Sequence, residues 1–447
     1  MTILATKASQ QRPFLQETVL PTVPKLPTTN RLFSVTKKRP SLAVIALNRI
    51  GYGLRPDDAV RFEALGNSST EQLAAYVEQQ LNPAYLDDAD FEARLAAANF
   101  STLNQSREQL LAKHDQVDHA YMQRTLGLRE LERLIFLRAI YSTRQLTELL
   151  ADFWHNHFNI YAWQSSEMAA TFMAYDQHVI RANLLGNYMQ MVEAITGSPE
   201  WQENAKFTGG TAVSGTQHTL EETAYRICLK LCRRLISDFP PSPIVQSTTA
   251  LFLTQKHAHD QLKQVVRHIL LSKAFQLTWG DKVKRPFESI VSALRATNAN
   301  LTIRYNDAES DSFMWHYNQI GQAPFACHEP DGYPDVKAHW QNSKSMIMRW
   351  RMINWLFDMR DKNGRFRIDI ISQTPSQIPF TPNNLVDYWI ERILGYEMTP
   401  NDRQILVNFL ANDAHPDTIL NPANPGTKNR LRETVALLLN TPQFQLR

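Results

Sequence analysis

Segments with the apolar spacing of an α-helix follow one another along most of this 447-residue chain. Apolar residues recur three and four positions apart, whereas the alternation typical of strands is rare. The clearest alternating stretch is RFRIDII at 365–371, and only 15 glycines occur. The pattern predicts an all-α fold: a multi-helix, orthogonal or repeat-like array with long loops and at most a minor β element. Helical segments are expected at about 104–113, 117–140, 143–161, 167–197, 219–236, 243–255, 259–276, 283–296, 343–359, 384–395, 401–411 and 428–440.

Two stretches of the C-terminal half align without gaps: VVRHILLSKAFQL at 265–277 and TVALLLNTPQFQL at 434–446. MVEAITGSPEWQ at 191–202 matches both more weakly. Each is an apolar helical pattern followed by Ser or Thr, two further residues, a large aromatic residue and Gln. The alignment predicts a recurring helical unit in which Phe275 and Phe444 are buried at equivalent places.

The charge is spread unevenly along the chain. Residues 1–40 hold seven basic residues and one acidic residue, although the whole chain has a net charge of only +3. The remainder is therefore slightly acidic, and we expect no specific nucleic-acid binding. Residues 1–38 also contain scattered prolines and no sustained periodicity, which predicts a disordered basic tail.

These patterns divide the chain into four predicted segments. After the tail, 1–38, residues 39–205 form an N-terminal helical unit. The glycine-containing stretch TGGTAVSGT predicts a flexible linker at 206–218. Residues 219–447 form a C-terminal helical unit that contains the internal repeat.

Neither a membrane span nor a disulfide framework is expected. No apolar run approaches the roughly 18 residues of a transmembrane helix. No secretory signal is recognisable, so the sequence alone favours a cytoplasmic location. The chain has three cysteines, Cys228, Cys232 and Cys327, which we expect to be small buried side chains.

The segment ADFWHNHFNIYAW, residues 151–163, carries two histidines two positions apart. On a continuous helix over 144–161, His157 lies in the apolar stripe, and His155 lies on the opposite, polar face. The two histidines therefore cannot bind one ion together. Glu148 and Asp152 share the polar face with His155, at positions i, i+4 and i+7.

The polar face of this helix has two interpretations. In the first, Arg144 pairs with Glu148, and Asp152 pairs with His155. In the second, Glu148, Asp152 and His155 are catalytic residues, and Asp152 and His155 bind a metal with His178 of the next helical segment. We favour partial burial with ion pairing and no metal, because one helix supplies too few ligands. The cofactor is unknown, and a divalent metal belongs only to the second interpretation.

Five motifs resemble, in the same order, the bacterial family called domain of unknown function 1800. They are LNRIGYGLRPDD (47–58), LLADFWHNHFNI (149–160), YDQHVIRANLLGNYMQMV (175–192), VKRPFESIVSALRA (283–296) and RLRETVALLLNTPQFQ (430–445). The resemblance implies an all-helical protein without an assigned activity, often exported, so a periplasmic location is the alternative. The acidic segment that the family usually carries after the position of Trp201 is missing, and ENAKFTGGTAVSGT stands there instead.

Two classes of function fit these observations. The first is a helical scaffold or binding protein, for which we expect a protein partner. The alternative is a metal-dependent enzyme, a hydrolase or an oxidoreductase, that uses the carboxylate and histidine face of the helix. Ligand, partner identity and oligomeric state are left open by the sequence.

Overall fold

A computed structural model describes residues 39–116, 121–208, 219–359 and 366–447. Almost all regular structure in these ranges is helical, and the predicted all-α class is confirmed. The helices of the first half are α1 Leu42–Arg49, α2 Asp58–Glu63, α3 Ser69–Leu81, α4 Ala89–Ala98, α5 Arg107–Gln116, α6 Tyr121–Arg124, α7 Leu126–Tyr141, α8 Gln145–His157, α9 Ser166–Tyr175, α10 Tyr188–Thr196 and α11 Pro199–Thr208.

The second half of the chain is built in the same way. Its helices are α12 Leu220–Leu235, α13 Ser242–Thr254, α14 Gln261–Leu270, α15 Lys273–Leu277, α16 Pro286–Ala296, α17 Ala308–Asn318, α18 Lys337–Trp340, α19 Ser343–Asp358, α20 Pro382–Leu394, α21 Pro400–Ala411, α22 Pro425–Leu439 and α23 Pro442–Gln445. None of the described helices is long and apolar enough to cross a membrane.

The alternating stretch at 365–371 contributes one very short strand. Strand β2, Phe366–Arg367, pairs antiparallel with strand β1, Asn300–Leu301. In the described residues this two-stranded ladder is the only sheet, which agrees with the predicted minor β element.

Residues Arg39–Arg447 pack as one compact unit. A single large core contains buried side chains from both predicted helical units, from Ile45 in α1 to Phe444 in α23. The predicted tail, 1–38, lies outside the described residues. Of the predicted linker, residues 206–208 belong to the end of α11, and 209–218 lie outside the described residues.

The predicted helix 167–197 is interrupted in its middle. After α9 the chain forms a π turn, Asp176–Ile180, and a 3₁₀ turn, Arg181–Asn183. Helix α10 then begins anew, because the side chain of Asn187 accepts hydrogen bonds from the N–H groups of Met189 and Gln190. This interruption places Asp176 and Arg181 beside α8.

The prediction of one continuous helix over 144–161 is wrong at its C-terminal end. Helix α8 covers Gln145–His157, and Phe158 makes its last bond, to the carbonyl of Trp154. Beyond that point the chain bonds to another segment, since Ala162 donates to the carbonyl of Phe325. Long-range backbone bonding therefore replaces the last helical turn that periodicity predicted.

The aligned stretches share one local structure. In each, a helix ends before a Ser or Thr whose hydroxyl accepts a hydrogen bond from the N–H group three residues later, in the first turn of the next helix. The pairs are Ser272 with Phe275, Thr441 with Phe444 and Ser198 with Trp201. Phe275 and Phe444 are both fully buried, as the alignment predicts.

Candidate functional site

Two asparagines at the end of α8 hold the loop 327–335 in place. Asn156 donates to the carbonyl of Tyr333 at 2.9 Å and accepts from its N–H at 2.7 Å. Asn159 donates to the carbonyls of Cys327 and Glu329 at 3.0 and 2.7 Å. The loop therefore closes over the end of α8 through its backbone groups, to which Asn156 both donates and accepts and Asn159 donates.

The two histidines of the segment point to different neighbours. His155 Nε2 lies 2.9 Å from Asp176 Oδ1. His157 is on the other side of α8, where its ring stacks near Phe153 and its Nδ1 lies 3.3 Å from Lys230 Nζ. Burial, aided by the charge of Lys230, lowers the pKa of His157 to about 3, so this ring is neutral and its Nδ1 accepts a hydrogen bond from the lysine ammonium.

A small cavity lies beside the polar face of α8, and we call it the α8 cavity. Its volume is about 70 Å³, and Glu148, Asp152, His155, Asp176 and Arg181 contribute its charged wall. Aromatic rings form much of the remaining wall. They belong to Tyr52, Phe287, Tyr317, Phe325 and Tyr333.

Asp176 is the centre of the first ion-pair cluster at the cavity. It is fully buried, and its Oδ2 lies 2.8 Å from Arg181 Nε and 3.1 Å from an Arg138 terminal nitrogen. Arg181 also forms a two-pronged pair with Glu148, at 2.9 and 2.7 Å. Burial opposes ionisation of Asp176, but Arg181, His155 and Arg138 outweigh it and hold its pKa well below the usual range.

Asp152 joins the cavity to a second ion-pair cluster. Its Oδ2 accepts from Arg285 and, at 3.2 Å, from Arg234. Both arginines also pair with the buried carboxylate of Glu288, and Arg447 completes the group with a contact of 2.6 Å. Burial opposes ionisation of Glu288, but the three guanidinium groups outweigh it and keep the pKa of this acid far below its ordinary value.

Two lysines near this cluster have contrasting surroundings. Lys282 is buried and pairs with Asp238 at 2.9 Å and Asp335 at 3.2 Å. Lys284 is buried as well, but its ammonium lies over the ring of Phe444, 3.9 Å from the ring centre. Burial lowers the pKa of Lys284 to about 7, although Glu288 nearby acts in the opposite direction.

The two local ion pairs predicted along α8 are wrong. Glu148 and Asp152 are paired with arginines of other segments, Arg144 reaches Asp88 at 3.7 Å, and His155 bonds to Asp176. Guanidinium groups from other segments offer two donors in one plane at largely buried positions, so they outcompete pairs along the surface of one helix.

The cavity brings together three of the four predicted site residues: Glu148, Asp152 and His155. His178 lies in the π turn, but its side chain is exposed and is not part of the cavity wall. No group of three or more His, Cys, Asp or Glu side chains in the described residues is arranged to share a metal ion.

Two titratable side chains on the cavity wall each have one polar atom without a hydrogen-bond partner in the described residues. Within the described ranges, no hydrogen bond reaches Asp152 Oδ1 or His155 Nδ1, although the other polar atom of each side chain is bonded. The side chain of Asp152 is 25% exposed and that of His155 is 10% exposed. Asp176 accepts from Nε2, so Nδ1 is the nitrogen with the lone pair whenever the imidazole is neutral, and the open oxygen of the Asp152 carboxylate is an acceptor.

The sequence candidates do not include the arginines that pair with the acids of the site, nor the buried acid Glu288. These arginines are Arg181, Arg234 and Arg285. Arg181 is the last residue of the stretch YDQHVIR at 175–181, and Arg285 and Glu288 belong to KRPFE at 284–288. Both stretches are among the motifs of the family resemblance, and that was the only available signal.

The fold and cavity define an all-helical protein with a small charged cavity enclosed by arginine–carboxylate clusters. The family model described as Protein of unknown function (DUF1800) matches residues 45–200 and 202–446. The chain belongs to this family. No curated protein and no solved structure matches it.

Proposed function

We propose that this chain is a helical binding protein that holds a small polar ligand in the α8 cavity. The observation that carries the proposal is the pair of open acceptors, Asp152 Oδ1 and His155 Nδ1, on a wall where other charges are paired. Both atoms face the cavity without a donor among the described residues, so a ligand that supplies donors can form hydrogen bonds with them that the protein leaves unmade. The ligand should therefore carry an amine or hydroxyl group.

The surroundings of the two acceptors support a prearranged site. Asp176 fixes His155, and two arginines, Arg234 and Arg285, fix Asp152. Side chains held by such contacts lose little conformational entropy when a ligand arrives. The cavity volume of about 70 Å³ has room for roughly five water-sized groups, which limits the buried part of the ligand to a few non-hydrogen atoms.

A screen of matched small molecules tests the proposal. Ligand-observed NMR would compare ethanolamine and ethylene glycol, which donate hydrogen bonds, with acetone, which only accepts. We expect the donors to bind and Asp152→Asn to weaken them by about tenfold, because an amide replaces one charged acceptor. The control is Asp331→Asn, a carboxylate outside the cavity. Equal binding of acetone, or equal loss in the control, would contradict the proposal.

The His155–Asp176 pair favours a second candidate, acid–base catalysis at the same cavity. A buried carboxylate that accepts from one ring nitrogen leaves the other as a proton acceptor, as a general base requires. The test is a screen of small hydrolysable esters and amides. Turnover that is lost in His155→Gln, while donor ligands still bind, would favour catalysis over binding alone.

The metal-dependent form of this enzyme hypothesis needs a further rearrangement. Asp152 Oδ1 and His155 Nδ1 are open to a cation, but a further carboxylate ligand from Glu148 or Asp176 would have to leave its arginine partners. Elemental analysis of purified protein tests it. Stoichiometric zinc, iron or manganese, lost in Asp152→Ala and in His155→Ala, would favour the metal enzyme.

A protein partner, and the choice between cytoplasm and periplasm, stay predictions.

A further inference from the structure

A second concave site lies next to the α8 cavity, with Asn156 and Tyr333 in the walls of both, and we call it the α12 groove. Its volume is about 350 Å³, within the range of small-molecule sites. Lys230 and Arg233 of α12 form one wall, and the loop residues Asp331 and Tyr333 form another. Phe153 adds an aromatic face.

The positive charges of the groove are only partly compensated. In the described part of the chain, Lys230 makes no ion pair, and its one hydrogen bond goes to the neutral ring of His157, at 3.3 Å. Arg233 donates through Nε to the carbonyl of Asp238 at 3.1 Å and likewise makes no ion pair there. Asp331 is the nearby acid, and it is exposed to solvent.

The charged side chains on the inner wall of the groove are already paired with one another or with neighbouring residues. Arg234 and Arg285 line it, but both are already neutralised by Asp152 and Glu288. Asp335 is likewise engaged with Lys282. The two unpaired cations therefore face one exposed carboxylate, and the local balance is positive.

We propose that the α12 groove binds the phosphate or carboxylate group of a small molecule through Lys230 and Arg233. An ammonium and a guanidinium on successive turns of one helix supply several charge-assisted donors to one anion. His157 fixes the direction of the Lys230 ammonium by accepting one of its protons. The rings of Phe153 and Tyr333 give an apolar part of the ligand a surface to contact.

This proposal is independent of the ligand proposed for the α8 cavity. The cavity offers two acceptors, whereas the groove offers donors from two cations. Each site can be tested with probes that the other does not favour.

Isothermal titration in a low-salt, phosphate-free buffer tests the groove with three probes. Inorganic phosphate, phenyl phosphate and benzoate separate a free anion from an anion carried on an aromatic molecule, and phosphate from carboxylate. We expect Lys230→Gln and Arg233→Gln each to weaken binding by about tenfold, and Lys230→Arg to retain it. The matched control is Arg226→Gln, an exposed cation one turn earlier on α12 that does not line the groove.

The titrations have one outcome that supports anion binding in the α12 groove and two that overturn it. Saturable binding that is weakened in both groove variants and unchanged in Arg226→Gln supports the site. Failure of all three probes to saturate below about 10 mM overturns it. An equal loss in Arg226→Gln also overturns it, because it would show a general effect of charge. Circular dichroism checks that each variant is folded, and two separate groove variants protect the test against one that is not.

Discussion

Asp176 Oδ1 lies 2.9 Å from His155 Nε2, while the other oxygen of the same carboxylate contacts two arginines. One buried carboxylate therefore has both a structural and a positioning role. It neutralises Arg138 and Arg181 in the interior, and it sets the proton and the orientation of the imidazole at the α8 cavity.

Asp176→Asn should destabilise the protein by about 3–5 kcal/mol, because it leaves two buried guanidinium groups without their shared anion. Urea unfolding at neutral pH measures the loss. The control is Asp90→Asn, whose carboxylate is 48% exposed and pairs with Arg55 and Arg94, so its effect should be below about 1 kcal/mol. Equal effects would contradict the central role of Asp176.

The same variant has a pH signature. The pKa of Asp176 in the folded protein is held well below its ordinary value of 3.8 by Arg181, His155 and Arg138, despite the opposing effect of burial. Above pH 3.8 the ionised Asp176 therefore contributes its full stabilisation to the folded state. This contribution is lost as the pH falls from 3.8 toward the pKa of the folded protein. The stability difference between wild type and Asp176→Asn should shrink steadily below pH 3.8.

Helical periodicity was sufficient to predict the fold class and the face of α8 that carries the site. Glu148, Asp152 and His155 share that face because successive residues turn by about 100°. Their partners could not be predicted in this way. Arg181 lies 33 positions from Glu148, and Arg285 lies 133 positions from Asp152, so local spacing contains no information about either contact.

The π turn at Asp176–Ile180 had no clear signal in the sequence. Its residues continue the apolar spacing of α9, which predicted one long helix over 167–197. Asn187 is the one local sign of an interruption, because it is a favourable residue for beginning a new helix. The contacts of Leu262 and Lys263 with the carbonyls of Gly186 and Leu185 depend on the tertiary fold.

The aromatic residues after the aligned helices should carry much of the stability of their surroundings. Phe275→Ala and Phe444→Ala should each lower the free energy of unfolding by about 3–5 kcal/mol, because each leaves a cavity in a closed core. Phe239 is 84% exposed, so Phe239→Ala is the matched control and should change little. Chemical denaturation of the three variants would contradict the prediction if all behaved alike.

Only glycine fits at position 332 of the loop 327–335, which lies over α8. Gly332 has φ +73°, and a Cβ there would lie 2.2 Å from the carbonyl oxygen of Asn156. Gly332→Ala should therefore displace the loop and increase its cleavage by protease. Gly321→Ala is the control, since Gly321 has φ +92° but no atom within 4 Å of such a Cβ. It should cost only about 1–3 kcal/mol of backbone strain. Similar protease sensitivity in both variants would show that backbone strain alone increases cleavage. The close contact with Asn156 would then not be the cause.

Lys282 and Lys284 should respond in opposite directions to the same substitution. Lys282→Met removes the partner of Asp238 and Asp335 and should destabilise the protein by about 3–5 kcal/mol. The ammonium of Lys284 lies over the ring of Phe444 and forms no ion pair among the described residues, so Lys284→Met should stabilise the protein at pH 6 by about 1–4 kcal/mol.

The pH dependence of Lys284→Met identifies the cause of its effect. Burial lowers the pKa of Lys284 from 10.5 to about 7 in the folded protein. Between these values the unfolded chain binds the proton and the folded protein does not, so wild-type stability gains a rising contribution with pH. Below pH 7 the cost of the buried charge is constant, and the advantage of Lys284→Met is largest. Urea unfolding from pH 6 to pH 9 should therefore show that advantage decreasing with pH, whereas an advantage independent of pH would mean that the ammonium is solvated in the folded protein.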